Sequence, residues 1–432
     1  MTSPLILVTG ATGYIASRLI PRLLDSGYRV RALARDPLRL SARNWFNKID
    51  IVQADVTAPD SLVQALTGVE TAYYLIHNMS HGHGYTSLEL DAARNFTHAA
   101  EAAGVKHIIY LGGLADPEQH IAPHMRSRIE TGKVLREGKV PVTEFRAGVI
   151  TGSGSISFEM IRFMTELFPI VPGPLWMKNK SQPIAIQNVI DYLLAALENK
   201  NGQGQVFEIG GPEVTLYKDL MLRYARARGL KRSMVMFPGI PVWFMAFGVG
   251  LMTPVPYPIA YALIGGLSAD SVVKHPDALR VFPEVQLVSF DSAAADALTK
   301  THPAHIEPVW ELEQDATLKH EGCFIQRREM KVALPAGAAF TAIKNFAGQK
   351  HWQVEVLEEH SYLLVRNTEQ RFGNYWVEWR MHPMENVTRL AQTIFFAPRG
   401  LPGFLYWYLM HPFQARKLPV DVQRLAAYNT HT

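Results

Sequence analysis

Three small residues near the start of the chain, Gly10, Gly13 and Ala16, stand three apart in the run Leu5-Ile-Leu-Val-Thr-Gly-Ala-Thr-Gly-Tyr-Ile-Ala16. Residues without a bulky side chain let main-chain N–H groups approach a pyrophosphate. A helix starting directly behind them adds a field that favours negative charge. Such spacing is weak evidence alone. It gains weight here because Leu5 to Val8 reads as a strand buried on both faces, Thr9 to Gly13 as a turn, and Tyr14 to Leu24 as a helix.

Further residues with chemistry follow at strand ends. Arg35, with Asp36 beside it, closes the second strand. A guanidinium fork suits a 2′-phosphate, whereas a carboxylate there suits a ribose hydroxyl. The alternative for Arg35 is a surface charge paired with Asp36. Asp55 and Val56 follow the third strand, where Asp55 serves equally well as a cap for the segment at Thr57. His77, His81 and His83 share one glycine-rich loop. Three histidines invite a metal, but no cysteine or carboxylate completes the set, so no metal is expected and the loop reads as a ligand contact. His124 and Arg128 stand four apart and share a helix face, where an imidazole suits proton transfer. Glu144 and Arg146 project from one strand to the same side and read as an ion pair.

The elements that must position these residues alternate. Strands are expected at Tyr28 to Ala34, Ile49 to Ala54, Thr71 to Ile76, Lys106 to Leu111 and Pro141 to Ile150. Helices are expected at Thr57 to Leu66 with Thr57 as cap, at Thr86 to Ala103 opened by the Thr86/Glu89 capping box, and at Pro123 to Glu137. The alternation gives an α/β, doubly wound parallel sheet with ligands at the carboxyl ends of its strands. The domain is expected over residues 1–300, with a less regular substrate-side lobe over about 151–300 that contains a strand-and-helix segment at Ser181 to Leu197 and a strand at Gln205 to Gly211. A linker follows over 301–317. From 318 to 432 the pattern becomes α+β with an antiparallel sheet: strands at Cys323 to Leu334, Trp352 to Leu357, Tyr362 to Asn367, Tyr375 to Met381 and Thr388 to Pro398, a helix at Pro335 to Phe346, and an aromatic helix from Gly403.

Composition narrows the class. With 432 residues, 48% of them hydrophobic, the chain can bury more than one core. A net charge of +4 is too balanced for nucleic acid. The lone Cys323 rules out an intramolecular disulfide and fits a reducing compartment, so the cytoplasm is expected. Nothing basic precedes the first apolar run, and no signal peptide is expected. The uncharged stretch Gly239 to Leu267 is broken by Pro254, Pro256 and Pro258, leaving each half below the ~20 residues of a spanning helix. It reads as two buried helices around a proline loop.

The opening glycine run, Arg35 in ALARDP, Asp55 in QADVT, and the runs YYLIHNM, GVKHIIYLGGL and FRAGVITGSGS together resemble the atypical short-chain dehydrogenase/reductases, closest to the NmrA-like NAD(P)-binding proteins. They also resemble the accessory NADPH-binding subunit of respiratory complex I. Over about residues 4–300 the resemblance implies a Rossmann-like domain holding a nicotinamide dinucleotide. The contacts it implies are Gly10, Thr12, Gly13, Tyr14, Ile15, Arg35, Asp55, Val56 and His77, with NADP(H) favoured over NAD(H) by Arg35. The segment TRLAQTIFFAPRGLPGFLYWYLMHPF is similar to the end of a domain of unknown function of the START-like, helix-grip class. Over about 320–418 this implies an apolar cavity for a hydrophobic small molecule. Trp376 and Trp379 then face opposite sides, one toward a pocket and one toward the surface or an interface. The aromatic run Phe404 to Met410, followed by Arg416 and Lys417, is expected to pack on its own sheet rather than on a membrane.

The superfamily's usual proton-transfer pair is missing. None of the sixteen tyrosines heads a Tyr-x-x-x-Lys; His124-Met-Arg-Ser-Arg128 stands in its place, and Gly112-Gly113 replace the usual serine. Two roles stand side by side. One is an NAD(P)H-dependent oxidoreductase for a hydrophobic substrate, with His124 transferring the proton and Arg128 in the place of the lysine. The other is a non-catalytic NADP(H)-binding sensor, regulator or assembly protein.

Overall fold

A run of four apolar residues without polar alternation belongs in the middle of a sheet covered on both sides. Leu5–Val8, β1, is buried at every position in the computed structural model. That structure describes residues 3–41, 43–77, 85–116, 118–119, 121–252, 255, 257–306, 317–320, 322–350, 352–383 and 387–410. The chain divides into two units: Met1–Met164, Ile170–Gly229 and Ser233–Leu298 form the first, and Thr165–Pro169, Leu230–Arg232 and Thr299–Thr432 the second. His81, His83, Pro254, Pro256, Arg416 and Lys417 lie outside the described residues.

In the first unit β1 is followed by α1 (Tyr14–Asp25), β2 (Arg29–Ala34), β3 (Asp50–Gln53), α2 (Pro59–Leu66), β4 (Thr71–Tyr74), α3 (Tyr85–Ala103), β5 (His107–Gly113), α4 (Pro123–Arg136) and β6 (Val142–Ala147). Then come β7 (Ile150–Thr151), α5 (Ile156–Leu167), β8 (Ile170–Pro174), β9 (Lys180–Ser181), β10 (Ile184–Ala185), α6 (Ile186–Glu198) and β11 (Val206–Ile209). The lobe ends with β12 (Thr215–Leu216), α7 (Tyr217–Arg228), β13 (Ser233–Phe237), α8 (Val242–Met252), α9 (Tyr257–Gly266), α10 (Asp277–Val281) and α11 (Phe290–Thr299). Seven strands make one sheet in the order β11-β6-β5-β4-β1-β2-β3. All of its pairings are parallel. One core, with Leu19, Ile20, Phe145 and Tyr192, covers one face of the sheet; another, with Leu62, Phe96, Tyr74 and Tyr110, covers the other. This is a doubly wound, Rossmann-like arrangement.

Several sequence expectations are corrected locally. The sixth strand stops at Ala147, and Ile150–Thr151 leaves the sheet to pair with β10. The turn needs Gly148, where a Cβ would meet the Ser271 hydroxyl at 2.7 Å. Thr57 does not cap α2, because Pro59, whose fixed φ suits a first helical position, starts the helix after Ala58. Thr86 lies inside α3, and its supposed capping-box partner Glu89 instead accepts a hydrogen bond from Ser127 on α4. The lobe holds a parallel two-stranded ribbon, β8 with β13, that the sequence did not reveal. Helices α8 and α9 form as expected, but Pro258 belongs to α9 rather than to a loop before it, and the helices are not buried all round. Trp243, Phe244, Phe247, Tyr257 and Tyr261 are exposed. No described helix is long and apolar enough to cross a membrane.

Two buried polar clusters anchor the sheet. Glu144 is fully buried in β6 and pairs with Arg136 on α4 and with Arg146 Nε at 2.6 Å. His107 Nε2 lies 2.8 Å from Thr143 Oγ1, which itself donates to Gly202 O at 2.8 Å. The hydroxyl proton is therefore committed, and His107 donates from Nε2. Burial pushes His107 down to about 4, and burial with the nearby Arg128 pushes His124 down to about 3, both from 6.5. The folded state keeps these rings neutral where the unfolded chain protonates them. Their stability contribution is whole above about pH 6.5 and is lost as pH falls toward 3, on the order of several kcal/mol together. Melting temperature should fall steadily between pH 7 and 4, and His107→Gln should flatten that slope. An unchanged slope in the variant would contradict the assignment.

The second unit contains β14 (Thr317–His320), β15 (Cys323–Val332), α12 (Ala336–Gln349), β16 (Gln353–Glu358), β17 (Tyr362–Asn367), β18 (Gly373–Pro383) and β19 (Thr388–Pro398), with a helix α13 at 400–410. Its strands form one antiparallel sheet in the order β14-β15-β19-β18-β17-β16. Strand β14 is an addition to the expected strands, and it begins at Thr317, the last residue of the stretch that reads as linker. Trp376 and Trp379 take opposite faces, yet neither is at the surface: they are 2% and 0% exposed. Trp379 stacks with Trp352 on one face, while Trp376 packs with Ile325 and Phe395 on the other and meets the His302 ring edge-on. Trp407 of α13 stacks on Phe324 and Phe396, so this helix packs on its own sheet, although Leu405, Tyr408 and Leu409 stay exposed.

Candidate functional site

The sheet order reverses between β1 and β4, since the chain runs from β1 to β2 on one side and from β4 to β5 on the other. Ligands of doubly wound sheets bind in the crevice outside the carboxyl ends at such a point. Gly10 leaves β1 there with φ +63°, and a Cβ on it would sit 2.8 Å from Leu75 O. Thr9 Oγ1 accepts from Leu75 N at 3.0 Å and ties the turn to the end of β4. Gly13 N donates to Gly10 O at 2.8 Å. Gly13 is also the N-cap of α1, with no side chain capping the first turn. With no side chain capping it, this end of α1 is where the helix dipole favours an anionic ligand.

A cavity of about 400 Å³ starts at this turn. Gly10, Gly13, Tyr14 and Ile15 line it, as do His77, Gly112, His124 and Arg128. Met125, Met160, Met164, Met177, Met221 and Met245 contribute to its wall, with Val249 and Ile264. Methionine is unbranched and polarisable, so such a wall adapts to flat or irregular apolar ligands. His77 Nε2 donates to Leu111 O at 3.1 Å, and burial together with Arg128 holds its ring well below the usual histidine range. His124 is neutral for the same two reasons, and its Nδ1 is buried without a hydrogen-bond partner. Among the described lining residues Arg128 is the one with a cationic side chain. At the serine-like position, a Cβ on Gly113 would meet Met125 Cε at 2.6 Å and Arg128 Cδ at 3.1 Å. Arg128 and Met125 thus occupy the space a serine side chain would need.

Of the expected contacts, Gly10, Gly13, Tyr14, Ile15, His77, His124 and Arg128 come together on this cavity, whereas Thr12, Arg35, Asp55 and Val56 do not line it. Arg35 is exposed directly after β2, the strand beside β1. Asp36 is used otherwise, accepting from Leu38 N at 3.0 Å. Asp55 Oδ1 accepts from Thr57 N at 2.9 Å and Thr57 Oγ1 at 2.8 Å, closing the turn after β3. Val56 is buried in the core beside Leu62. Glu144 is the ion pair the sequence suggested, extended to a second arginine.

Sequence reasoning missed Arg18, which lies 3.9 Å over the Tyr14 ring and donates to Ser153 O at 2.8 Å, bracing the glycine turn. It also missed Tyr217, which lines the cavity near Ser181 and Ser271 and is pushed up to about 12 by burial, so it carries its proton. The methionine wall gave no local signal either, because its members come from helices far apart in sequence.

Comparison with known proteins agrees with this geometry. Residues 2–216 match the NmrA-like family. The chain is 26% identical over 241 residues to the photosystem II assembly factor Ycf39 of Cyanophora paradoxa, covering 54% of this chain and 71% of that protein. It is 27% identical over 277 residues to a (4-alkanoyl-5-oxo-2,5-dihydrofuran-3-yl)methyl phosphate reductase of Streptomyces griseus, covering 60% and 85%. Among solved structures, the NADPH-dependent quinone oxidoreductase QOR2 of Escherichia coli, complexed with NADPH, superposes with a TM-score of 0.55 at 19% identity over 68% of this chain and 99% of that one. At that identity the likeness is one of fold.

Proposed function

We infer that this chain, NmrA-like over its N-terminal half, is an NADP(H)-dependent reductase acting on an apolar, conjugated acceptor. One observation carries the reading: the glycine turn and the methionine wall border a single cavity, which two neutral histidines and an arginine also line. Bound NADPH would supply a hydride to the acceptor. Arg128 would stabilise the negative charge that the acceptor then gains. His124, neutral and with a free Nδ1, would hydrogen-bond the acceptor rather than hold a proton in reserve. A quinone or enone suits such a site, because its product anion is delocalised and takes its proton from water. The names of the Streptomyces griseus and Escherichia coli proteins, both reductases, support this class.

Two observations favour a second reading, NADP(H) binding without turnover. Tyr-x-x-x-Lys is absent from the sequence, and His124 is a poor proton reservoir at neutral pH. The assembly-factor name of the Cyanophora paradoxa relative points the same way. The second unit fits the helix-grip, START-like class, since one face of its antiparallel sheet carries α12 and α13; we assign it a hydrophobic small-molecule ligand. Cytoplasmic placement belongs to the same reading and rests on Cys323, the one cysteine of the sequence, which is buried.

Fluorescence titration with NADPH and NADH tests the cofactor assignment. Saturable binding is expected, tighter for NADPH. Arg35→Ala should weaken NADPH by about tenfold or more, the scale of one charge-assisted phosphate contact, and leave NADH within about twofold. Equal losses for both would refute the role of Arg35.

A further inference from the structure

Helices α8 and α9 have two apolar faces each. On α8, Met245 and Val249 point to the cavity, while Trp243, Phe244 and Phe247 lie on the opposite side and are 55%, 54% and 57% exposed. On α9, Leu263 and Ile264 line the cavity, and Tyr257 and Tyr261, one turn apart, are exposed. The adjoining ribbon adds exposed Val235 and Phe237 from β13. A monomeric soluble surface rarely gathers so many large apolar side chains, and such patches mark interaction sites. Two features say what covers this one. Residues 233–269 contain no charged side chain, and no acid lies between Asp219 and Asp270. The segment just before them is basic, with Arg226, Arg228, Lys231 and Arg232, of which Arg226 and Lys231 are exposed. Exposed aromatic side chains with tryptophan and tyrosine, in an uncharged stretch that follows a basic segment in sequence, match the interface of an anionic bilayer in composition.

We propose that the outer face of α8 and α9 docks on an anionic lipid bilayer, and that the same two helices hand a lipid-dissolved acceptor to the cavity their inner faces line. The first half needs only the exposed face. The second rests on the reductase reading above, and gives it a substrate class: a quinone or similar acceptor that partitions into membranes. No spanning helix is needed, since a helix pair lying in the interface buries one face only.

The test is flotation of the full chain with vesicles of phosphatidylcholine containing phosphatidylglycerol, compared with vesicles of phosphatidylcholine alone. The wild type should float with the anionic vesicles and less with the neutral ones. The triple variant Trp243→Ser, Phe244→Ser, Phe247→Ser should lose about a hundredfold in partition, from roughly half-burial of three large side chains. NADPH binding, measured by the same titration as above, should persist in that variant and shows that it folds. A control pair on another surface, Leu38→Ser with Val63→Ser, should float as the wild type does. Failure of the wild type to float, or unchanged flotation of the triple variant, would overturn the proposal. So would a wild-type dimer that the triple substitution converts to monomer, since the face would then belong to a second copy. Each of these outcomes leaves the NADPH titration intact, whereas absent NADPH binding with intact flotation would sink the reductase reading alone.

Discussion

Replacing Glu144 with leucine will destabilise the first unit by about 3 kcal/mol, more than most single substitutions. Glu144 is fully buried, and its two partners, Arg136 and Arg146, keep only 26% and 15% of their side chains exposed. Removing the carboxylate leaves two guanidinium groups facing each other in a poorly hydrated site. Burial already lowers Arg136 and Arg146 below the ordinary arginine range, so the loss of Glu144 adds to an existing penalty. The pocket is built for this carboxylate, because a Cβ on Gly132 would fall within 2.7 Å of both its oxygens. Urea denaturation should show the lower midpoint. Adding Arg136→Met and Arg146→Met should recover much of the loss, because an apolar replacement of a whole buried cluster is often neutral. A single variant as stable as the wild type would show that the cluster is hydrated and the burial argument wrong.

Gly10→Val should abolish dinucleotide binding, by at least about a hundredfold, while costing about 1–3 kcal/mol of stability from backbone strain. The residue sits at φ +63°, which a β-branched side chain resists, and its Cβ would press on Leu75 O at 2.8 Å. Relief means moving the turn away from β4, and with it the N–H groups that would receive a pyrophosphate. Gly27→Val separates strain from site. Gly27 has φ +81°, but nothing lies within 4 Å of its Cβ position, and it is at the far end of α1. It should lose stability and keep NADPH affinity. Titration of both variants reads the difference, and equal affinities would contradict the turn as the binding site.

The first unit was legible because its central strands are buried on both faces and its helices on one, which leaves short unbroken apolar runs such as Leu5 to Val8 and Ile108 to Leu111 between periodic stretches. The lobe was not. Strands β7, β9, β10 and β12 are two residues long, set by partners that only the fold brings near, and β8 with β13 is joined across more than fifty residues. The uncharged stretch was legible as two helices, but not as half-exposed ones, because helices apolar all round carry no stripe to tell the inner face from the outer. At the site, glycine spacing gave Gly10 and Gly13, since the backbone alone makes that chemistry. His124 and Arg128 were found by their spacing, but the neutrality of His124 comes from burial and from Arg128, which no local pattern reports. Glu89 shows a related gap: its carboxylate accepts from Ser127 on α4, a partner that local spacing cannot report.

The central claim, that one cavity brings a nicotinamide dinucleotide and an apolar acceptor together, is tested most directly by following NADPH absorbance on mixing the full chain with a lipophilic quinone. Oxidation of NADPH should require both quinone and protein, saturate with quinone, and vanish in Gly10→Val while persisting in Gly27→Val. NADPH that binds the wild-type chain and stays reduced in the presence of saturating quinone would contradict the claim, and the non-catalytic reading would replace it.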